Sequence, residues 1–183
     1  MSSLPSWSKH VRRVSTLCLA AIVALLVLVG PTAGAAGAGA SSAAPSCKTS
    51  SLDIWFEPEI GGGTAGSIYY EFKFTNFCHF RCALRGYPKV FAAKLGGRRF
   101  GSAASHEETT VPHAVNLSPG DTASALIRVV EAGNFPPSDC KPTMAAGFVV
   151  SPPGQKGSRF VPFPFEACAK VGHSNLSVQA VKH

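Results

Sequence analysis

The 183 residues include 18 Gly, 14 Pro and only 15% charged side chains, and carry a formal net charge of +7. That length holds one domain of ordinary size behind a leader and excludes a second globular unit. Three of the seventeen basic residues, Lys9, Arg12 and Arg13, fall in the leader, so fourteen face ten acidic ones and the domain is about +4; such a balance suits anionic envelope polymers or membrane surfaces. No basic run is interleaved with stacking aromatics, which predicts no nucleic-acid partner.

Lys9, His10, Arg12 and Arg13 precede an apolar run from Leu17 to Val29, and small-x-small triplets follow at Ala33-Gly34-Ala35, Ala36-Gly37-Ala38 and Ala38-Gly39-Ala40. This order is that of a signal peptide, read over residues 1–40. The apolar run is short of the roughly 20 residues that a spanning helix needs, which favours cleavage over anchoring. A lipoprotein signal would place a Leu-Ala-Gly-like triplet before its cysteine. Cys18 follows Ser15-Thr16-Leu17 and Cys47 follows Ala44-Pro45-Ser46, so neither fits. Residues 41–46 continue the Ala/Gly/Ser composition and read as a flexible spacer. The fold is predicted to occupy 47–183.

From Cys47 onward the hydrophobic period is two, with no helical period. Leu52, Ile54 and Phe56 alternate with Asp53, Trp55 and Glu57, and Ile68, Tyr70, Phe72 and Phe74 alternate with Tyr69, Glu71, Lys73 and Thr75. The glycine-rich stretch 61–66 between them reverses the chain, so the two strands are predicted neighbours. Lys89 to Leu95 and Arg98 to Phe100 flank Gly96-Gly97, the composition of a two-residue hairpin turn. Val115-Asn116-Leu117 leads through Ser118-Pro119-Gly120-Asp121, a type II turn sequence, into Ala123, Ala125, Ile127 and Val129. Met144 to Val150, Phe160 to Phe165 and Leu176 to Val181 complete the strands. Pro162 and Pro164 fall on alternate positions of one strand, which predicts a sheet edge. About seven to nine short antiparallel strands predict an all-β sandwich, with an up-and-down barrel as the other arrangement.

Cys47, Cys78, Cys82, Cys140 and Cys168 follow the leader, and in an exported domain they read as a disulfide framework. Chain reversal around the glycine stretch brings Cys47 opposite the segment holding both Cys78 and Cys82, without choosing between them. Reversal around Pro152-Pro153-Gly154 brings Cys140 opposite Cys168.

Cys82-Ala83-Leu84-Arg85-Gly86-Tyr87-Pro88 reads C-x-L-x-G-Y-P and follows Gly66-Ser67-Ile68-Tyr69 and Thr75-Asn76. Asn116-Leu117-Ser118-Pro119-Gly120, Cys140 ahead of a strand ending Ser151-Pro152, and Cys168 ahead of Leu176-Ser177-Val178 continue the pattern. In these features, over roughly residues 47 to 181, the chain resembles domain-of-unknown-function family 4232, secreted actinobacterial domains with four ordered cysteines. The resemblance implies an extracytoplasmic, immunoglobulin-like β-sandwich with no established catalytic residues. It also implies bridges Cys47 to Cys82 and Cys140 to Cys168, with Cys78 outside the pattern as an unpaired thiol.

Two clusters carry chemical residue types. Cys78-His79-Phe80-Arg81-Cys82 holds two thiols and an imidazole, but its C-x3-C spacing is not that of a zinc knuckle and no second ligand pair matches it. His106, Glu107, Glu108 and His113 combine imidazoles with carboxylates in an expected solvated loop, without a nucleophile motif. Gly61-Gly62-Gly63 reads as a turn and Tyr87-Pro88 as an aromatic packed on proline at a strand start. Asn116-Leu117-Ser118 and Asn175-Leu176-Ser177 match the glycosylation sequon, which is read as coincidence in an actinobacterium.

These readings predict a secreted or cell-envelope, non-catalytic domain, with no cofactor and no metal site, that binds an envelope protein, polymer or small ligand through its loops. Membrane contact is expected only through the leader if it stays uncleaved. A metal carrier or enzyme using the histidine loops, and a structural display domain, are the alternatives. Intact-mass analysis of protein from culture medium is expected to give a mature N-terminus between Ala36 and Ser41. A full-length chain found only in membranes would contradict cleavage.

Overall fold

In the computed structural model, which describes residues 43–58, 63–109 and 111–183, period-two alternation has become the first antiparallel pair. Strand β1 (Leu52–Glu57) is followed by the two-residue β2 (Gly63–Thr64) and by β3 (Ser67–Asn76), which pairs with both. Ile54 is opposite Phe74 and Phe56 opposite Phe72 in the register. The same register sets Glu57 against Glu71, a like-charge pair that would repel. Lys73 lies between them, its Nζ 2.6 Å from Glu71 and 3.1 Å from Glu57. The hydrogen bond to Glu71, more than that to Glu57, holds the Lys73 ammonium above its ordinary pKa. The predicted signal segment and spacer up to residue 42 lie outside the described residues, as do Gly61 and Gly62; Gly63 belongs to β2.

Beyond β3 come β4 (Cys82–Arg85), β5 (Lys89–Ala93), β6 (Arg99–Phe100), β7 (Ser105–His106), β8 (Ala114–Leu117) and β9 (Thr122–Val130). A single helical turn, α1 (Pro137–Cys140), precedes β10 (Pro142–Ser151), β11 (Arg159–Cys168) and β12 (Leu176–Val178). The architecture of the described residues is all-β, with several sheets and no barrel among them. Strands β1, β3, β9, β12 and β7 lie in that order in one sheet, with β2 beside β3. A second sheet has the order β11-β10-β5-β6, and β4 pairs with β8.

Four expectations are corrected. Among the described residues twelve strands are present instead of seven to nine, because two-residue pairings such as β2, β6 and β7 leave no period to read. Pairing is not wholly antiparallel, since β7 runs parallel to β12. The β5–β6 turn includes Leu95 as well as Gly96 and Gly97, closed by Lys94 N–H donating to the Arg98 carbonyl at 3.0 Å. Both glycines still take positive φ, +76° and +77°. Strand β12 stops at Val178; Gln179 N–H goes to the Leu126 carbonyl and Val181 N–H leaves for Gly86. The turn at Ser118–Asp121 has the type II form, with Gly120 at φ +87° and Asp121 N–H donating to the Ser118 carbonyl at 3.0 Å.

One hydrophobic core joins the two larger sheets. Phe72 and Phe74 of β3, Ile127 of β9, and Val90, Phe148 and Val150 of the second sheet are all fully buried in it. Phe148 meets Phe72 edge-on at 5.2 Å and Phe165 stacked at 4.3 Å. Strand β11 is an edge, which frees its proline nitrogens from the need for ladder partners on both sides. Its register shifts opposite Ala145 and Gly147, so Phe163 and Pro164 form a bulge against a single residue of β10. Glycine at 147 permits that approach: a Cβ there would fall 2.2 Å from the Val161 carbonyl oxygen and 2.9 Å from Pro162 Cα. Gly147→Ala is therefore expected to cost about 2–3 kcal/mol through backbone displacement, read as a lower urea midpoint with an unchanged slope; an unchanged midpoint would contradict this packing.

Candidate binding cleft

The loop between β3 and β4 is built by Asn76, whose fully buried side chain closes the end of β3. Its Nδ2 donates to the Phe80 carbonyl at 2.9 Å and the Leu117 carbonyl at 3.1 Å, and its Oδ1 accepts from Cys78 N–H at 3.1 Å. That loop delivers Cys82 to Cys47, and the two are disulfide-bonded. Cys140 of α1 is bonded to Cys168 at the end of β11. Cys78 is a half-buried free thiol, with His79 and Phe80 exposed beside it.

The second chemical cluster is dispersed. His106 lies on β7, and its ring stacks on Tyr87 at 4.1 Å with an interplanar angle of 7°. One partner of the Tyr87 ring is thus an imidazole, a contact the sequence reading did not foresee. Glu107 is not a solvated loop carboxylate: Ser177 Oγ donates to it at 2.5 Å and Gln179 Nε2 at 3.1 Å, fixing it to β12. Glu108 and His113 are exposed on the segment leading to β8. Among the described residues, no three His, Cys, Asp or Glu side chains come together as a ligand group.

A concave feature with polar residues in its lining lies beside the β11 bulge. Asn175 ties together two residues of its lining, Val130 and Glu166. Only 2% exposed, Asn175 donates from Nδ2 to the Val130 carbonyl at 2.8 Å and the Glu166 carbonyl at 3.1 Å. Its Oδ1 accepts from Cys168 N–H at 2.9 Å. One amide thereby ties the end of β9 to the end of β11. The sequon reading missed this role, and the buried amide is no glycosylation acceptor; Asn116 of the other sequon is exposed on β8.

In front of that tie, a cleft of about 490 Å³ opens between β3, β9 and β11. Ile68, Tyr70, Val129, Phe163 and Phe165 form its apolar walls, and Glu131 and Glu166 stand at its rim. Tyr70 and Phe163 meet edge-on at 5.1 Å, and burial pushes the Tyr70 phenol above its ordinary pKa, so it stays neutral. The cleft has the size of a small-ligand site, with apolar walls and few polar groups. The two prolines of β11 signalled an edge, but no sequence feature signalled an opening there.

Residues 47–182 match the family model described as Domain of unknown function (DUF4232). No curated protein and no solved structure matches the chain.

The cysteines differ in expected mutational cost. The Cys47–Cys82 bridge closes a loop with a sequence separation of 35. Cys82→Ser is expected to cost about 3–4 kcal/mol through loop-closure entropy, whereas Cys78→Ser should stay within about 1 kcal/mol. Denaturant melts with thiol counting check both values; equal destabilisation would contradict the bridge assignment.

Proposed function

The chain belongs to the DUF4232 family, and we propose that it is a secreted or cell-envelope, immunoglobulin-like β-sandwich that binds a small ligand and performs no catalysis. Two disulfides fit an oxidising compartment, and among the described residues no helix is long and apolar enough to cross a membrane. The shared core of the two larger sheets supports the sandwich reading. The observation that carries the binding reading is the cleft beside the β11 bulge, with hydrophobic walls and two rim carboxylates. That chemistry selects an apolar group bearing a cationic substituent. The proposal moves binding from the loops to the gap between strands, where rigid elements hold the walls.

Decyltrimethylammonium below its micellar concentration is a direct probe, with decyl sulfate as the anionic counterpart, both followed by calorimetry. The cation is expected to bind and the anion to bind at least tenfold more weakly, about 1.4 kcal/mol. Ile68→Trp, at a position 44% exposed on the wall, should fill the cleft and abolish binding without a large loss of stability. Glu131→Gln with Glu166→Gln should remove the preference for the cation. Equal binding of both probes, unaffected by Ile68→Trp, would overturn the proposal.

A further inference from the structure

The basic residues that look scattered along the sequence are gathered by the fold. Residues 86–105 and 142–165 contain Lys89, Lys94, Arg98, Arg99, Lys156 and Arg159, and no Asp or Glu. These two stretches build the whole four-stranded sheet except the last three residues of β11, which include one acid, Glu166, opposite Met144 in the register. Among the described residues, none of the six forms an ion pair; the ion-paired lysines are Lys73, Lys170 and Lys182, on other elements. Their partners are aromatic or neutral. Lys89 and Arg99 lie over the Phe91 ring at 5.4 and 5.0 Å, and Lys94 lies over Phe100 at 5.1 Å. Arg99 Nη2 also donates to Ser158 Oγ at 3.1 Å.

The same end of the sheet exposes apolar side chains. Leu95, at the tip of the β5–β6 turn, is 83% exposed, and Met144 at the start of β10 is 61% exposed. Lys94 Nζ donates to the Met144 carbonyl at 2.7 Å, which leaves two of its three protons free. A groove of about 600 Å³ runs between the turn and β10, walled by Leu95, Met144, Ala146 and Pro164 and flanked by Lys94 and Arg98.

We propose that this end of the four-stranded sheet docks on a bilayer of anionic phospholipid, with Lys94, Arg98 and Arg99 at the headgroup phosphates and Leu95 and Met144 entering the interface. Charge complementarity selects the anionic headgroup, and the exposed Leu95 between Lys94 and Arg98 selects a bilayer over a soluble polyanion. An apolar tip gains nothing from a hydrated polymer, whereas an interface takes apolar side chains and attracts cations together. The surface adjoins the cleft of the proposed ligand site: Pro164 lines both, and Glu166 of the cleft pairs with Met144 in the register. Membrane contact thus extends beyond the leader.

Co-sedimentation of residues 41–183, the compact unit that carries the core and both disulfides, with phosphatidylglycerol or phosphatidylcholine vesicles is the test. Binding is expected to phosphatidylglycerol alone and to fall with salt. The triple variant K94Q/R98Q/R99Q should bind about a hundredfold more weakly, from roughly fivefold per cation at an anionic surface. L95S should lose about tenfold while leaving salt dependence in place. R81Q/R85Q/K182Q, which removes equal charge from other elements, should bind like the parent. Each variant is checked for an unchanged thermal midpoint. Binding to both lipids alike, no binding to phosphatidylglycerol, or equal losses in the two triple variants would overturn the proposal. So would full binding by L95S with polyphosphate competing, which would make the surface a polyanion site.

Discussion

The rings around Phe148 are the contact on which the arrangement of the two larger sheets depends. Phe72 from β3 meets Phe148 edge-on, Phe165 stacks on it from β11, and Phe56 from β1 approaches both Phe148 and Phe163 at 5.4 and 4.5 Å. These rings come from four strands and both sheets. Each fully buried Phe contributes about 1.5–3 kcal/mol, and each well-oriented pair adds about 0.5–1.5 kcal/mol. The geometry of the cluster sets how far β11 can approach β3. The cleft begins where its outer members, Tyr70 and Phe163, reach the surface.

Polar closure at the two ends relies on a repeated device. Asn76 and Asn175 are buried asparagines that use one acceptor and two donor contacts to tie separate segments. A buried amide left unpaired would cost on the order of 1–3 kcal/mol, so each segment is held in the one position that satisfies it. The disulfides lie next to these amides. Cys82 follows the loop that Asn76 organises, and Cys168 donates its N–H to Asn175. Covalent and hydrogen-bonded restraints therefore act on the same strand ends.

Charge follows the sheets. Asp53, Glu57 and Glu71 lie on the first sheet, with Lys73 between the latter two, while the second sheet carries cations paired with aromatic faces. A cation over a ring keeps its charge available to an external partner, unlike one neutralised by a carboxylate. A modest overall charge can thus hide a sheet whose charged side chains, Glu166 apart, are cationic.

The longer strands, the pairs joined by a local reversal such as β1 with β3, and the Ser118–Asp121 turn were legible from the sequence because each depends on residues close along the chain. Alternation at Ile68 to Phe74 needs one buried face, and Ser118-Pro119-Gly120-Asp121 folds by its own dihedral preferences. The edge position of β11 was legible for the same reason, since proline lacks a donor wherever it stands. The pairing of β7 with β12, the stack of His106 on Tyr87 and the fixing of Glu107 by Ser177 and Gln179 were not legible, because each joins residues about 20 to 70 positions apart through contacts with no period. Asn175 read as a sequon because a local motif cannot say that its amide is buried between two sheets. The cleft, and the gathering of six cations on one sheet, were decided only by tertiary structure: both arise from the distance between strands, a quantity set by ring packing and absent from the order of residues.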